Sequence, residues 1–567
     1  MRTLYEQAEA ALRGGPAAKF EEIPGIGKDL AAKIVEILET GRCRMHQELL
    51  AGFSKGLLEL LTVRGLGPKK VRKFFETMGV DSVDKLKKAA ESGDLAKLPG
   101  MGEKSQAEIL KALEDHAKHR ERIILHAAVL MAEEMVEYMK RCPVVKHCEY
   151  AGSCRRGKET IGDIDILATG SDHAKIIDHF VKHRQVQKIL AQGDTKASVL
   201  LEEGVQVDLR VVDDACFGAA LQYFTGSKEH NVHTRKLAIS KGLKISEYGV
   251  FKVEAKTEKR NRKAEGGKAR QGGLIAGRTE EEVYKALGLP CFIPEIRRDE
   301  GEIEAALAGK LPKPIELSDI RGDLHVHTTH SDGEDSLETM VMAAMELGYE
   351  YVAISDHSPA VRVANGMNPA RLLNYIAEIN ALNTKLAQSG KSGRGGKPFV
   401  ILKSSEVDIL EDGSLDYPDE LLKKLDLVNV SVHRKFNLPA EIQTARIVKA
   451  LSNPYVTILS HPTGQIVKQR EPYAMDLVAV ARAAAKHRVA LEVNGSHRLD
   501  LGPGNIRLAA AQGAKFVINT DSHQKDHLSF MRFGVMMARG GWLEAKDVLN
   551  TLPVEKLFRY FKRETRG

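Results

Sequence analysis

Gly152-Ser153-Cys154-Arg155-Arg156-Gly157, followed by Gly162-Asp163-Ile164-Asp165-Ile166-Leu167, is the segment that constrains this chain most. It predicts a small-residue turn bearing two arginines, then a strand. Side chains alternate along a strand, so Asp163 and Asp165 share one face while Ile164 and Ile166 share the other. Val205-Gln206-Val207-Asp208-Leu209-Arg210-Val211 alternates in the same way and predicts a second strand with Asp208 on its polar face. A lone Asp-x-Asp suits a solvated strand face equally well. The Gly-Ser-x-Arg-Arg run before it and the third aspartate after it point instead to a three-carboxylate cup. Hard oxygen donors suit Mg²⁺. Two ions about 3.5–4 Å apart can stabilise both the attacking and the leaving oxygen of a phosphoryl displacement. The expectation is nucleotidyl transfer with two Mg²⁺ or Mn²⁺ ions, chemistry that needs positioning and charge neutralisation more than a covalent partner.

The chain has 567 residues, 43% hydrophobic and 28% charged, with a net charge of +7. That length implies about three to five domains. The charge leans mildly towards a polyanionic partner. The six cysteines form no Cys-x-x-Cys pair, so neither a zinc ribbon nor a disulfide framework is expected. No run of about 18 apolar residues and no signal-peptide core is present, so a soluble, intracellular protein with no membrane partner is expected, cytoplasmic by its reduced thiols and nucleoid-associated in so far as it binds DNA. Lys310-Leu311-Pro312-Lys313-Pro314 is a proline-stiffened linker candidate. Residues 252–273, rich in Lys, Arg and Gly, are expected to form a mobile loop.

Before the carboxylate strands a short pattern recurs three times: Ile23-Pro24-Gly25-Ile26-Gly27-Lys28, Val63-Arg64-Gly65-Leu66-Gly67-Pro68-Lys69 and Leu98-Pro99-Gly100-Met101-Gly102-Glu103-Lys104. Each precedes a helical periodicity. Glycines there bare backbone N–H groups at a helix N-terminus, where donors and dipole together attract a phosphate oxygen. Nearby lysines add salt-sensitive charge. Three copies indicate helix-hairpin-helix motifs on a DNA backbone, although Glu103 leaves a purely structural role open for the third.

From Asp319 onward seven apolar strands are predicted, each tending to end in a metal-capable or polar residue. They lead to His325 and His327, to Asp356 and His357, to Glu406, to His433, to His461, to Asn494, and to Asp521 and His523. Helical patterns lie between many of them. Parallel strands with helical crossovers close into a barrel whose sites lie at the strands' C-terminal ends. Imidazole with carboxylate suits Zn²⁺, Mn²⁺ or Fe²⁺.

These residues carry a resemblance. Residues 1 to about 300 resemble a family X DNA polymerase, the group that includes DNA polymerase beta. The whole chain resembles the bacterial form in which a PHP phosphoesterase domain follows the polymerase. The resemblance implies a multidomain α/β fold, with helix-hairpin-helix N-terminal domains, a polymerase-beta-like nucleotidyltransferase palm and thumb, and a C-terminal PHP distorted (β/α)7 barrel. The implied divisions are a lyase-like domain (1–52), a fingers-type domain (53–125), palm (126–215), thumb (216–305), linker (306–318) and PHP domain (319–567).

By the same resemblance Asp163, Asp165 and Asp208 are catalytic metal ligands, and Gly152, Ser153 and Arg156 hold the incoming nucleotide. Tyr223-Phe224-Thr225-Gly226-Ser227 matches the family's palm–thumb turn, with Tyr223 and Phe224 contacting the sugar and Gly226 letting backbone approach the nucleotide. Asn231 and Arg235, four apart on a predicted helix, match contacts to the nascent base and the template. Gly25, Gly27, Gly65, Gly67, Gly100 and Gly102 would hold the DNA backbone. Lys33 matches the Schiff-base lysine of the family's lyase, a role needing an unprotonated amine; an exposed helix lysine is the other reading. Two residues depart from the family: Gln206 stands where an arginine is common, and Asp29 replaces a basic residue. In the barrel the implied ligands are His325, His327, Asp332, His357, Glu406, His433, His461, Asp521 and His523, holding two or three ions. His330, Asp356, Asn494 and His497 are expected as supporting or substrate-contacting groups.

The function implied is templated short-gap filling in base excision repair, with a 3′→5′ exonuclease or phosphoesterase in the PHP domain. The partners would be gapped or primed duplex DNA and dNTPs, bound by a monomer. An untemplated nucleotidyltransferase, or a DNA-binding scaffold with a small-molecule PHP phosphatase, are the alternatives.

Overall fold

A computed structural model describes residues 28, 31–33, 36, 60, 63, 66–98, 101–119, 122–253, 273–389 and 398–561. Gly25, Gly27, Gly65 and Gly100, and the basic loop over 254–272, lie outside the described residues. The chain divides into two compact units, Met1–Glu121 and Arg122–Gly567.

In the first unit, α1 (Pro68–Met78), α2 (Val83–Glu91) and α3 (Glu103–His119) pack around Leu60, Val71, Phe74, Leu86, Leu95, Ile109 and Leu113. Gly67 caps α1 in an extended conformation, with Pro68 opening the helix. Proline suits that position because its missing N–H would have no helical partner there. Ser82 caps α2 by accepting from Lys85 N–H at 3.3 Å. Open space surrounds the position a Cβ would take at Gly67 and Gly102. What these glycines leave is access to the helix end; neither has the positive φ that would itself demand glycine. Lys33 is helical and half-buried.

The second unit begins with α4 (Leu125–Lys140). Its buried residues recur at helical spacing, Leu125, Ala128, Val129, Ala132, Met135, Val136 and Met139, and these lie in one continuous core with the barrel described below. A five-stranded sheet follows: β1 (Val145–Tyr150), β2 (Asp163–Gly170), β3 (Val186–Gln192), β4 (Lys196–Leu201) and β5 (Gln206–Val211), in the order β1-β2-β5-β4-β3. Only the β2–β5 pairing is parallel. The period-2 expectation holds: Val207, Leu209 and Val211 are buried while Gln206, Asp208 and Arg210 are half-buried. Between β1 and β2 lies α5 (Gly152–Arg155). After the sheet come α6 (Phe217–Thr225) and α7 (Lys228–Ser240), then an antiparallel three-stranded sheet of β6 (Leu243–Ser246), β7 (Gly249–Lys252) and β8 (Leu274–Ala276).

The C-terminal half is a parallel barrel. Its strands are β9 (Gly322–Val326), β10 (Tyr351–Ile354), β11 (Val400–Lys403), β12 (Glu406–Asp408), β13 (Asn429–Ser431), β14 (Ile458–Leu459), β15 (Ala490–Asn494) and β16 (Lys515–Asn519). They form two sheets, β9-β10-β11 and β12-β13-β14-β15-β16. Eight segments stand where seven strands were expected because Ser404-Ser405 interrupts the third. Backbone bonding runs on through the break, with Ser404 N–H donating to the Ile354 carbonyl at 3.1 Å and Glu406 N–H to the Ser355 carbonyl at 2.8 Å, while Ser405 Oγ donates to the Asp356 carbonyl at 2.7 Å. The ring is completed where Val326 bridges Ser522 and the Leu324 N–H donates to Asn519 Oδ1 at 3.0 Å. The proline-rich segment is held against this barrel: Ile315 N–H donates to the Leu543 carbonyl at 3.0 Å and Lys313 N–H to Glu544 at 3.0 Å. Among the described residues no helix is long and apolar enough to cross a membrane.

Candidate functional site

Two carboxylate-bearing sites lie in the second unit. In the first, Asp165 and Asp208 are register partners across the parallel β2–β5 ladder, one step from Asp163 opposite Gln206. Neighbouring strands run about 4.8 Å apart, so the aspartates are adjacent on the polar face. Burial drives the Asp165 carboxyl up to about 7, helped by the negative charges of Asp163 and Asp208. Asp163 is raised for the same two reasons, burial first and then Asp208. Among the described residues no three carboxylates of this sheet bring their oxygens within 4.8 Å of one another. The array is therefore more open than the barrel site, and its mutual repulsion fits a place for cations. Gln206 Nε2 donates to both oxygens of Asp208, at 3.1 and 3.2 Å. The uncharged substitute thus sits on the third carboxylate itself.

The Gly-Ser turn packs directly on this face. Gly152 has φ +65°, and a Cβ there would lie 2.2 Å from Asp165 Oδ2. Ala151 N–H donates to the Asp165 carbonyl at 2.8 Å, so the turn is fastened to the strand it serves. Ser153 follows on α5. Arg156 Nη1 donates to the Thr225 carbonyl, and its Nε is buried without a partner. A Cβ on Gly226 would sit 3.0 Å from Arg156 Nη1. Arg155 has a different task. It makes a bidentate pair with Glu280 at 3.0 and 2.7 Å, and Glu280 also pairs with buried Arg297.

Tyr223 and Phe224 lie edge to face, 5.1 Å apart, with Arg235 over the Tyr223 ring at 5.4 Å and Arg210 over Phe224 at 4.5 Å. Asn231 and Arg235 do share α7, as their spacing implied. The Asn231 amide is held locally, donating to the Tyr223 carbonyl at 2.7 Å and accepting from Gln222 at 2.8 Å.

The second site lies at the C-terminal ends of the barrel strands. Three overlapping groups bring ligand atoms within 4.8 Å: His327, Asp332, His357 and His523; His325, His327 and Glu406; and His357, Glu406 and His433. His461 Nε2 lies 2.7 Å from Glu406 Oε1, and Asp521 Oδ1 lies 3.3 Å from His327 Nε2. All nine expected residues therefore converge. Several of these separations fall at 3.3–3.7 Å, as for His325 Nε2–Glu406 Oε2 (3.3 Å), His327 Nδ1–Asp332 Oδ1 (3.7 Å) and His523 Nε2–Asp332 Oδ2 (3.4 Å). Ligands at about 2.1 Å from one metal are separated by roughly 3.0–3.4 Å, depending on geometry. Buried His327 Nδ1, His357 Nδ1 and His461 Nδ1 have no hydrogen-bond partner. This donor set fits divalent cations. His461 and Asp521 adopt positive φ, 30° and 51°, strain of the kind that concentrates at functional sites.

The charges tell the same story. Burial alone would raise Glu406 and Asp521, but the surrounding imidazoles hold both well below the usual carboxylate range. Burial pushes the His433 ring down, yet Glu406 and Asp408 together outweigh it and carry the ring to about 9. His523, half-buried, is carried to about 9 by its bond to Asp332 and the charge of Asp521, against the opposing pull of burial.

Supporting residues fix the rings. Glu492 takes the Nδ1–H of His325 at 2.8 Å, which leaves His325 Nε2 free to point into the cluster. The Asp521 carbonyl does the same for His523 at 2.9 Å. Asp408 accepts from His433 N–H at 3.1 Å and from Arg434. Arg498 Nε and Asn494 Nδ2 donate to Asp521 Oδ2 at 3.1 and 3.2 Å. Asp356 accepts from Thr328 and Ser331, steadying the loop that carries Asp332. Glu492, Asp408 and Arg498 were not singled out from sequence. The usable signal was a charged residue inside an apolar strand, Ala490-Leu491-Glu492-Val493. His330 pairs with Glu378 at 2.9 Å, and His497 lies with a separate aromatic group.

Three family models match: a SAM-like helix-hairpin-helix tandem at 57–115, the DNA polymerase beta thumb at 220–298 and the PHP domain at 323–496. The chain is 37% identical over 567 residues to the DNA polymerase/3′-5′ exonuclease PolX of Bacillus subtilis (strain 168), spanning 99% of this chain and 95% of that protein. It is 28% identical over 322 residues to DNA polymerase lambda of Rattus norvegicus, 52% of each chain. It is 28% identical over 256 residues to a probable phosphatase of Thermoanaerobacter sp. (strain X514), 43% of this chain and 95% of that one. With that identity sustained along both chains, and with the palm face and the barrel cluster both in place, the protein belongs to the bacterial PolX family.

Proposed function

We propose that this protein is a template-directed DNA polymerase that fills short gaps, with a 3′→5′ exonuclease in its PHP barrel. The division proposed is 1–52 and 53–125 for the DNA-grasping helices, 126–215 palm, 216–305 thumb, 306–318 connector and 319–567 PHP. The observation that carries the reading is the placement of Asp165 beside Asp208, with Gly152 packed against Asp165.

In the palm, Asp163, Asp165 and Asp208 would hold two Mg²⁺ or Mn²⁺ ions, which supply charge neutralisation for in-line displacement at the α-phosphate. Ser153 and Arg156, with the backbone at Gly152, receive the nucleotide's terminal phosphates. Tyr223 and Phe224 border the sugar, and Asn231 and Arg235 face the nascent pair. In the barrel, the nine His, Asp and Glu side chains would hold two or three Zn²⁺, Mn²⁺ or Fe²⁺ ions, which act as Lewis acids on a terminal phosphodiester. Glu492 and the Asp521 carbonyl keep the His325 and His523 lone pairs directed inward. Lys33 is the candidate lyase nucleophile, tested by borohydride trapping on an incised abasic site. The partners are gapped or primed duplex DNA and dNTPs, met as a monomer in the bacterial cytoplasm.

The test is a one-nucleotide gap with a 5′-phosphate, incubated with Mg²⁺ or Mn²⁺ and one dNTP at a time opposite each template base. Incorporation that follows the template, with shortening from the 3′ end when dNTPs are withheld, is expected. Incorporation indifferent to template would make this an untemplated transferase. Hydrolysis of mononucleotide phosphates with DNA ends left intact would make the barrel a small-molecule phosphatase.

A further inference from the structure

Beside the barrel cluster lies a partly open aromatic group that neither carboxylate centre uses. The rings of His527 and Phe530 are stacked, 4.8 Å apart at 21°, and His497 meets Phe530 edge-on at 5.4 Å. His497 is exposed; His527 and Phe530 are half-buried. Behind them sits His126 of α4, 2% exposed, with its ring 5.0 Å from His497, 4.8 Å from Phe530 and 4.1 Å from Phe533. His126 Nε2–H donates to the Gly495 carbonyl at 2.8 Å, which fixes the backing ring.

We propose that His497, His527 and Phe530 form a stacking platform for the unpaired base at the 3′ end of the strand being cleaved in the barrel. The inference rests on the exonuclease reading above and adds the part of the substrate that the metal ligands do not recognise.

Position supports it. His497 follows three residues after Asn494, whose amide donates to the ligand Asp521. His527 follows four residues after the ligand His523, and the two imidazoles influence each other's charge. These links put the rings near the ligand-bearing segments; in the proposed arrangement a nucleotide whose phosphate lies among the ligands sets its base on them. Burial pushes His497 and His527 below the ordinary imidazole range, so both offer neutral aromatic faces at pH 7. Stacking of this kind accepts every base, because each has a π-face, and gives no sequence preference. Sealing α4 against the barrel needs His126 and Phe533, but it does not need the exposed ring of His497.

The experiment compares two single-stranded 3′ ends, one finishing in deoxyadenosine and one in a base-free tetrahydrofuran residue. The variants are the double substitution His497→Ala, His527→Ala and, separately, the volume-conserving Phe530→Leu. The expected result is a fall of about tenfold in the ratio of kcat/KM for the base-bearing end over the base-free end, expressed through KM. With bis(p-nitrophenyl) phosphate as reporter, the Ki of dAMP should rise relative to that of deoxyribose 5-phosphate. Equal losses on both ends, or no change in the ratio, in variants that melt as the wild type does, overturn the platform. A wild-type protein that hydrolyses the reporter but no DNA end sinks the exonuclease reading, and the platform with it.

Discussion

Asp165 stands directly opposite Asp208 across the one parallel pairing of the palm sheet. Two carboxylates held side by side on rigid strands repel, and the Asp165 carboxyl is driven up to about 7 by burial and then by these neighbours. Cations bound there would relieve this repulsion, which is the physical basis of the proposed palm metal site.

Asp208→Asn should therefore separate the two activities. Primer extension is expected to fall by roughly 100-fold or more, because on the proposed reading the lost charge is one that holds the cations of phosphoryl transfer. Hydrolysis from the 3′ end, measured on the same preparation without dNTPs, should stay within about twofold of wild type. Parallel loss of both activities in folded protein would deny that the sites are separate.

His327→Ala should do the opposite. His327 belongs to two of the three groups that could hold a metal, so its loss would damage more than one of the proposed cation positions. Bound transition metal, counted by elemental analysis after desalting, should drop, and exonuclease activity should fall by about 100-fold. Extension of a primed template should persist.

Much of this was legible in the sequence because the signals were local. A period-2 strand places its own carboxylates, and a barrel strand places whatever follows its last apolar residue. Asp163, Asp165, Asp208 and the strand-end histidines belong to that class. Glu492 and Arg498 do not. They act on His325 and Asp521, which lie far away in the chain, and no spacing rule connects them. The break at Ser404-Ser405 was not legible either, since nothing in Leu402-Lys403-Ser404-Ser405-Glu406 marks where the strand divides. Arg155 and Arg156 are neighbours with the same side chain, and only the fold shows that Arg155 is committed to Glu280.

That commitment has a stability consequence. Glu280 is 7% exposed and answers both Arg155 and buried Arg297. Glu280→Gln would leave two guanidinium groups without their charge partner, a loss of about 3–5 kcal/mol. Chemical denaturation should show a lower midpoint. Extension should weaken as well, because Arg155 also donates to Thr225 at the start of the Gly226 turn.

Gly152→Ala should impair synthesis through geometry alone. The residue has φ +65°, where an L side chain costs about 1–2 kcal/mol, and the new methyl would lie 2.2 Å from Asp165 Oδ2. Either the turn or the aspartate must move. Single-nucleotide gap filling is expected to fall by about tenfold or more, since small displacements of a catalytic group are costly. Hydrolysis at the barrel should be unaffected, and Gly152→Ser should be no better than alanine.

Metal-free protein should respond to pH in a way that isolates Asp165. Its folded pKa of about 7 lies above the unfolded value of about 3.9, so between those values the folded state holds the extra proton. Stability from this group is present at low pH and is lost as pH rises through about 7. His433 and His523, raised to about 9, contribute in the same sense but at higher pH, so wild type alone cannot assign the effect. Comparison with Asp165→Asn does, because the amide does not titrate. After chelation, the melting temperature of wild type should fall relative to that of Asp165→Asn progressively between about pH 4 and pH 7, and the gap should then stay constant to pH 8 as far as this group is concerned. Mg²⁺ should then raise the wild-type melting temperature more at pH 8 than at pH 5, and raise that of Asp165→Asn far less. A wild type that stays parallel to the variant across that range would mean that the Asp165 carboxyl is already ionised at low pH, and that the palm face does not hold the repulsion from which its cation site is inferred.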